Sequence, residues 1–597
     1  MARHFRIHPA IGAARMGNSS DGFFVGPETP GVPANLDANG NFKSFRDAQG
    51  RVLRQAARFR IFEYDEDTSG SLINPREVQI GTDFSEIEWR VHLANRKASF
   101  FTFNGQDGAE DLYLHRQNEV PQTERRKEEP DRTNLRNSHI TGDRSGQLDI
   151  DPGEKRISTS DPADVELSNP NPNIPIVSLG TLKLDGAKLV VLGGRGESNS
   201  SPAHATIDEY ASNDHWFDDA GDGSVNARIT LATGETVEAD SAWVMVGPPK
   251  FAPAHGNVVR LFDTLWDTAV RDVALTPGTP TTPLLVELRK QKAIWLANGA
   301  ASLNGYQPSF TKDIQPLLKR ALGARDVHVS GLTNSSYHLQ LRDWEILNVR
   351  TGPNATRGKQ LRDYVFNWMR DPASNDVQWE KMPRGNGDDY TALDEGHPLP
   401  TSFLSLTRIQ YAMLKEWAAG NFVADWPGAE PLFTASPNPT PDELDLAAAE
   451  NCVGGPFYPG IEVSWLIRVP DLFAEPLRLK SPATGLKVGA LDFRPGFFSQ
   501  QMAVPWQADF YDCRKEPHDG PDDTQYWYMW WSAQRPDDVF PSGAASQARW
   551  VRAFDGNLLP EDADNIDRFE RFNLMQQRWH ELKFITVKKD DHYEEEP

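Results

Sequence analysis

The feature that most restricts the fold of this 597-residue chain is a change in the period of its apolar residues near residue 308. Upstream, RFRIFEYDED at 58–67 and WRVHLANRKASFFTF at 89–103 place aromatic and β-branched residues in partial alternation with polar ones, the two-residue period of strands. PIVSLGTLKLDGAKLVVLGGRG at 175–196 reads as two strands around a DG turn, inside an all-β unit that extends to roughly residue 290. Downstream, Leu406, Ile409, Met413 and Trp417 recur at three- and four-residue intervals, and Gly420 supplies a stop, which predicts a helix. SFTKDIQPLLKRALG predicts another, capped by Thr311, with Ile314, Leu317, Leu318 and Leu322 on one side and Pro316 in its first turn. A third, LDLAAAENCVGG at 444–455, ends near Cys452 and breaks at Gly454 and Gly455. The fold class is therefore mixed α+β and multidomain. The expected regions are a β-rich 1–115, a polar excursion over 116–174, a β-rich domain at 175–305, a largely helical 306–440 and a loop-rich C-terminal 441–597.

Charge narrows the partners. With 62 Lys and Arg against 85 Asp and Glu, the net charge of -23 argues against nucleic acid or an anionic membrane as the main interface. The N-terminal residues lack the apolar run of a conventional secretion signal, and no stretch reaches membrane-spanning length. The expected location is cytoplasmic, or outside the cell by a non-classical route. HExxH, CxxC, Walker A and GxSxG patterns are all missing. LVVLGGRG lacks the GxGxxG order and reads as a glycine-rich turn. DDAGDGSV at 218–225 reads as a solvated acidic turn, with Ca²⁺ binding through Asp218, Asp219 and Asp222 the alternative. His8, His215 and His580 read as structural or surface residues.

Only two cysteines are present, Cys452 and Cys513, and a disulfide between them stays open at this point. In PWQADFYDC an aspartate, Asp509, precedes Cys513 by four residues, so a helical turn would bring carboxylate and sulfur to one side. Two readings follow: a buried thiol beside an N-capping aspartate, or a thiol whose proton has an acceptor. Trp530 and Trp531 lie seventeen and eighteen residues downstream of Cys513.

Four segments in combination resemble the LodA-like quinoprotein amine and amino-acid oxidases, the lysine ε-oxidase and glycine oxidase type. They are HPAIGAARMGNSSDGFFVGPE at 8–28, LTRIQYAMLKEWAAGNF at 406–422, CVGGPFYPGIE at 452–462, and PWQADFYDC at 505–513 followed by WWSAQRPDDV at 530–539. The resemblance implies an oxidoreductase that deaminates a primary amine, an amino acid by preference, with O₂ as acceptor and H₂O₂ and ammonia as products. It implies a protein-derived cofactor, cysteine tryptophylquinone (CTQ), in which an oxygenated indole is joined to a cysteine sulfur by a thioether. The cysteine maps onto Cys513, the nearby acid onto Asp509, and Cys452 onto a second position near the cofactor. The indole maps onto Trp531, with Trp530 the near alternative and Trp579 a third. A separate flavin-dependent modifying protein is implied for maturation, and homo-oligomerisation is left open. Ser532 stands where the family commonly has proline, and the chain is shorter after this region than the lysine-oxidising members. Arg408 and Arg535 are candidates for holding a substrate carboxylate or for structural ion pairs. The alternative function is a binding or structural protein of the same fold that never matures a quinone.

Overall fold

The structure, a computed structural model, describes residues 3–81, 83–102, 135–276, 278–328, 342–388, 400–430, 434–455, 462–463, 465–488, 491–514, 517–519, 525–527, 531–555 and 568–597. A 13-stranded sheet unites the two β-rich portions of the sequence. Its main path runs from Lys155–Ser158 through Phe84–Ala94, Gly221–Leu231, Ala242–Gly247, Ile11–Arg15, Arg54–Glu66, Lys188–Gly193 and Ser178–Asp185 to Val165–Ser168. Neighbours on this path are antiparallel except Ile11–Arg15 and Ala242–Gly247, which pair in parallel with Trp243 opposite Ile11.

The Ala242–Gly247 strand explains how the molecule is layered. Ala242, Val244 and Val246 enter one hydrophobic core, while Trp243 and Met245 enter another. A strand covered on both faces has no polar side to present, so it reads as the unbroken run AWVMV. The second core lies against the helices Leu261–Arg271, Pro283–Ala297, Gln315–Gly323 and Arg408–Ala419. The first core takes in the C-terminal aromatic residues, among them Trp506, Trp531, Trp550 and Trp579.

The helix signals fare unevenly. Arg408–Ala419 follows its pattern: Thr407 and Gln410 form a capping box and Gly420 closes the helix at φ 87°. Before Gln315–Gly323 the cap is Ser309, not Thr311: Ser309 Oγ accepts the Lys312 N–H at 2.9 Å, and a π-helical turn, Phe310–Ile314, intervenes. Leu261–Arg271 and Pro283–Ala297 are helices inside the stretch read as all-β. For the second, Thr282 caps and Pro283 opens the first turn, signals that were present in the sequence. Lys155–Ser158 and Val165–Ser168, inside the polar excursion, are sheet strands whose short polar stretches carry only one buried side chain each, Ile157 and Leu167. His8 is structural: its Nδ1 lies 2.9 Å from Asp445 on the helix Pro441–Glu450, and its Nε2 3.1 Å from the Tyr64 hydroxyl.

Candidate functional site

The site is organised by one short helix, Trp506–Asp512, whose N-cap residue is Pro505 and therefore has no side-chain acceptor. The missing cap is supplied from a separate two-stranded ribbon, Ser198–Ser200 paired with Trp216–Asp218. Asp218, at the end of the strand Trp216–Asp218, accepts the Trp506 N–H at 3.0 Å. Its charge is balanced by Lys97, whose Nζ lies 2.8 Å from the same carboxylate and donates to the Ala503 carbonyl at 3.0 Å. Both partners are fully buried, where an unpaired charge would be costly. DDAGDGSV is thus neither a solvated turn nor a calcium loop. Asp218, Asp219 and Asp222 are each 0% exposed, and Asp222 accepts bonds from Ser499 and Trp243. Among the described residues no group of acids, histidines and cysteines is arranged to hold a metal. Nothing in the sequence marked Lys97 as the counterion, because the pair is 121 residues apart.

Asp509 lies within the helix and is not its cap. The Cys513 N–H bonds to the Asp509 carbonyl at 2.8 Å, and the Cys513 thiol donates to Asp509 Oδ1 at 2.9 Å. The four-residue spacing accordingly brings acid and sulfur into contact. Asp509 is 1% exposed, and among the described residues its other oxygen, Oδ2, has no hydrogen-bond partner. Burial pushes the Asp509 carboxyl well above the usual carboxylate range, opposed by the thiol hydrogen bond and by Lys97 and Arg535. Burial, reinforced by the Asp509 charge, pushes the Cys513 thiol up as well.

Arg535 is structural. Its Nε donates to the Phe510 carbonyl at 2.9 Å and one terminal nitrogen to the Tyr511 carbonyl at 3.0 Å, while the other pairs with Asp537 at 3.0 Å. These are carbonyls of the last helical turn, which lack intrahelical partners. The same arginine begins at a turn whose backbone bonds to the Trp531 carbonyl, from Gln534 at 2.9 Å and from Arg535 at 2.7 Å. Trp531, 1% exposed, shares the core that contains Cys513. Trp530 lies outside the described residues. Arg408 opens the helix Arg408–Ala419, and Ile409 beside it belongs to the second core.

Trp579 also reaches this helix. Its ring meets Trp506 edge-on at 5.5 Å, and Trp506 meets Phe510 in the same way at 5.4 Å. The glycine-rich turn after Lys188–Gly193 seats it: Gly196, at φ 74°, would place a Cβ 2.2 Å from the Trp579 ring, and its carbonyl accepts from Trp579 Nε1 and Gln507 Nε2, both at 3.2 Å. LVVLGGRG is therefore a packing turn at the site.

Cys452 is elsewhere, in the second core, just beyond the helix Pro441–Glu450. Both cysteines are free thiols. Burial, with Glu462 adding to it, pushes the Cys452 thiol up to about 12.

Comparison with known proteins follows the same layout. The family profile described as L-lysine epsilon oxidase N-terminal matches residues 8–246, ending with the last strands of the sheet. The L-lysine epsilon oxidase C-terminal domain profile matches residues 385–532. L-lysine 6-oxidase of Marinomonas mediterranea is 28% identical over 570 residues, covering 85% of this chain and 70% of that protein. The crystal structure of the L-Lys epsilon-oxidase from the same organism superposes with a TM-score of 0.73 at 22% identity, over 99% of this chain and 94% of that one. A second structure, of that enzyme's Schiff base intermediate with L-Lys, gives 0.70 at 22% identity with the same coverage. These superpositions establish a shared fold.

Proposed function

This chain belongs to the LodA-like family of quinoprotein amino-acid oxidases, and from that premise we propose that it deaminates a primary amine of an amino acid through a CTQ built on Cys513. It is an oxidoreductase of the oxidative-deamination type, and its cofactor is of the protein-derived quinone class. The observation that carries the proposal is the buried contact between the Cys513 thiol and Asp509 at 2.9 Å, with one carboxylate oxygen left unpartnered.

The residues present fit such a group. Thioether formation requires the thiol to lose its proton, and Asp509 Oδ1 is the acceptor on it. A carboxylate held above its ordinary proton affinity is a stronger base than one in water, and here burial is the cause. Among the described residues Oδ2 faces no donor, so it can take a proton from a bound amine. When formed, the quinone supplies an electrophilic carbonyl and an electron sink, with O₂ as the final acceptor. Lys97, Asp218 and Arg535 hold both ends of the helix, which fixes Asp509 against the sulfur.

Trp531 is the indole proposed for the crosslink, on the quoted WWSAQRPDDV match and its burial in the core of Cys513. A specific observation favours Trp579 as a second reading. Trp506, Asp509 and Cys513 recur at three- and four-residue spacing along the helix, and Trp579 packs directly on Trp506. Cys452, set in the other core, is assigned no part in the crosslink. Maturation is assigned to a flavin-dependent modifying protein, and the substrates are a primary amine and O₂.

The test is peptide mapping of protein coexpressed with its modifying enzyme, after thiol reduction. The Cys513 peptide is expected to be joined to the peptide carrying Trp531, with added oxygen; a join to Trp579 selects the second reading. Recovery of the Cys513 peptide unmodified from amine-oxidising protein overturns the proposal.

A further inference from the structure

Trp506 is an exception among the tryptophans of the interior. Trp89, Trp243 and Trp550 each give the indole N–H to an acceptor: the Ala187 carbonyl at 3.0 Å, the Asp222 carboxylate at 3.0 Å and the Lys583 carbonyl at 2.8 Å. Trp579 gives its own to the Gly196 carbonyl at 3.2 Å. Trp506 is just as deeply set, 1% exposed, yet among the described residues its Nε1–H has no acceptor. A buried indole N–H ordinarily finds a partner, because one left without forfeits the bond that water gave it. Capping does not occupy the ring nitrogen, since it is the Trp506 backbone N–H that meets Asp218.

The position of this donor gives it a meaning. Trp506 opens the helix that carries Asp509 three residues later, so indole and carboxylate lie on one face, a turn apart. Asp509 Oδ2, on that face, is also without a partner among the described residues. The ring that meets Trp506 edge-on at 5.5 Å is Trp579, itself fixed through Gly196. The unmodified chain therefore holds a donor lacking an acceptor, and an acceptor lacking a donor, beside an indole that carries no oxygen. Formation of the quinone is the event that adds oxygen to an indole.

We propose that the Trp506 Nε1–H is the hydrogen-bond donor to an oxygen of the quinone, with Trp579 as the indole that bears it. This rests on the CTQ reading above, in the form in which Trp579 is joined to Cys513. The donor gains its acceptor only when the oxygen is in place. It then polarises that carbonyl toward attack by an amine and stabilises the charge the oxygen acquires as the ring takes up electrons. Trp506 needs no rearrangement to do so, because Asp218 holds its backbone while Phe510, at 5.4 Å, and Trp579 pack against its ring.

The experiment compares the full-length precursor, expressed alone, with protein matured by coexpression with the modifying enzyme. Both are isotope-labelled at the tryptophan nitrogens and read by the indole N–H resonances, after peptide mapping of the matured sample. Trp506→Phe, which keeps an aromatic ring and removes the N–H, identifies the Trp506 signal. That signal is expected to move downfield on maturation, while the signal of Trp89, whose carbonyl acceptor is the same in both states, stays in place. In matured Trp506→Phe the quinone carbonyl band in resonance Raman should lie at higher frequency than in the parent. A Trp506 signal that does not move downfield, in protein whose Cys513 is joined to Trp579, overturns the proposal whether or not the variant matures. An unmoved Raman band in matured Trp506→Phe overturns it as well, as expected if a bound water were the partner of this N–H in both states. A join to Trp531 overturns it and leaves the CTQ reading standing, whereas unmodified Cys513 in amine-oxidising protein defeats that reading and this proposal together.

Discussion

Cys513 and Cys452 are both buried free thiols, each with an acid as its leading charged neighbour, but they occupy different cores and only Cys513 has that acid within hydrogen-bond distance among the described residues. Cys513 ends a helix held at both ends by buried ion pairs, and its sulfur donates to an acid at 2.9 Å. At Cys452 burial and Glu462 raise the proton affinity, and the cations Arg15 and Lys250 oppose them. Among the described residues no acceptor lies within hydrogen-bond distance of its sulfur. The difference teaches that burial alone makes a thiol inert, raising its hold on a proton in both places, and that a placed base is what makes one of them usable.

The sharpest way to break this comparison is Cys513→Ala. With the modifying enzyme present, quinone absorbance and peroxide production should both vanish while the chain stays folded; residual crosslink by peptide mapping would show that another thiol serves. Asp509→Asn comes next. It preserves shape but removes the proton acceptor, so crosslinking or amine turnover should fall by roughly 10² to 10⁴, measured as peroxide release on an active substrate. Normal crosslinking and turnover in that variant would leave Asp509 with packing alone.

Arg535→Met tests whether helix anchoring matters separately from chemistry. It removes the Arg535 cation from buried Asp537 and the donors from two helix-end carbonyls, which should cost about 2 to 4 kcal/mol in urea unfolding. A pH series probes the Cys452 side. Lys250 is held near 8 in the folded chain and returns to about 10.4 when unfolded, so between these values the unfolded state binds more protons. Stability should therefore rise with pH across that window, and this contribution should disappear in Lys250→Met. Cys452→Ala should have the smallest effect, on the order of 1 kcal/mol of stability from a small buried side chain, with crosslinking intact. Loss of the crosslink in that variant would tie the two cores together functionally.

Much of the site's local geometry was legible because it is written within one turn of helix. The Asp509 to Cys513 spacing placed acid and sulfur in contact once the segment was helical. The Arg408–Ala419 helix was legible for the same reason, its stripe, capping box and glycine stop all being local. DDAGDGSV was misread because burial of an acid is decided by its partner, and Lys97 lies 121 residues away from Asp218. Short strands such as Val165–Ser168 escaped notice because a sheet already formed elsewhere supplies most of their bonds. Of the helices Leu261–Arg271 and Pro283–Ala297, the second carried a readable cap in Thr282 and Pro283, and there strand-like runs nearby outweighed a correct local signal.

The sequence by itself determined the α+β class, the anionic charge, the helix-period segment and the thiol with its base, since each depends on residues near one another in the chain. Only the tertiary structure decided that both β-rich portions form one sheet, that the two cysteines face different cores, and that Arg535 caps a helix. It also decided which tryptophans reach the helix of Cys513. The physical reason is that hydrophobic periodicity and capping are satisfied within a few residues, whereas desolvated charges and buried indoles take their properties from whatever the folded chain brings against them.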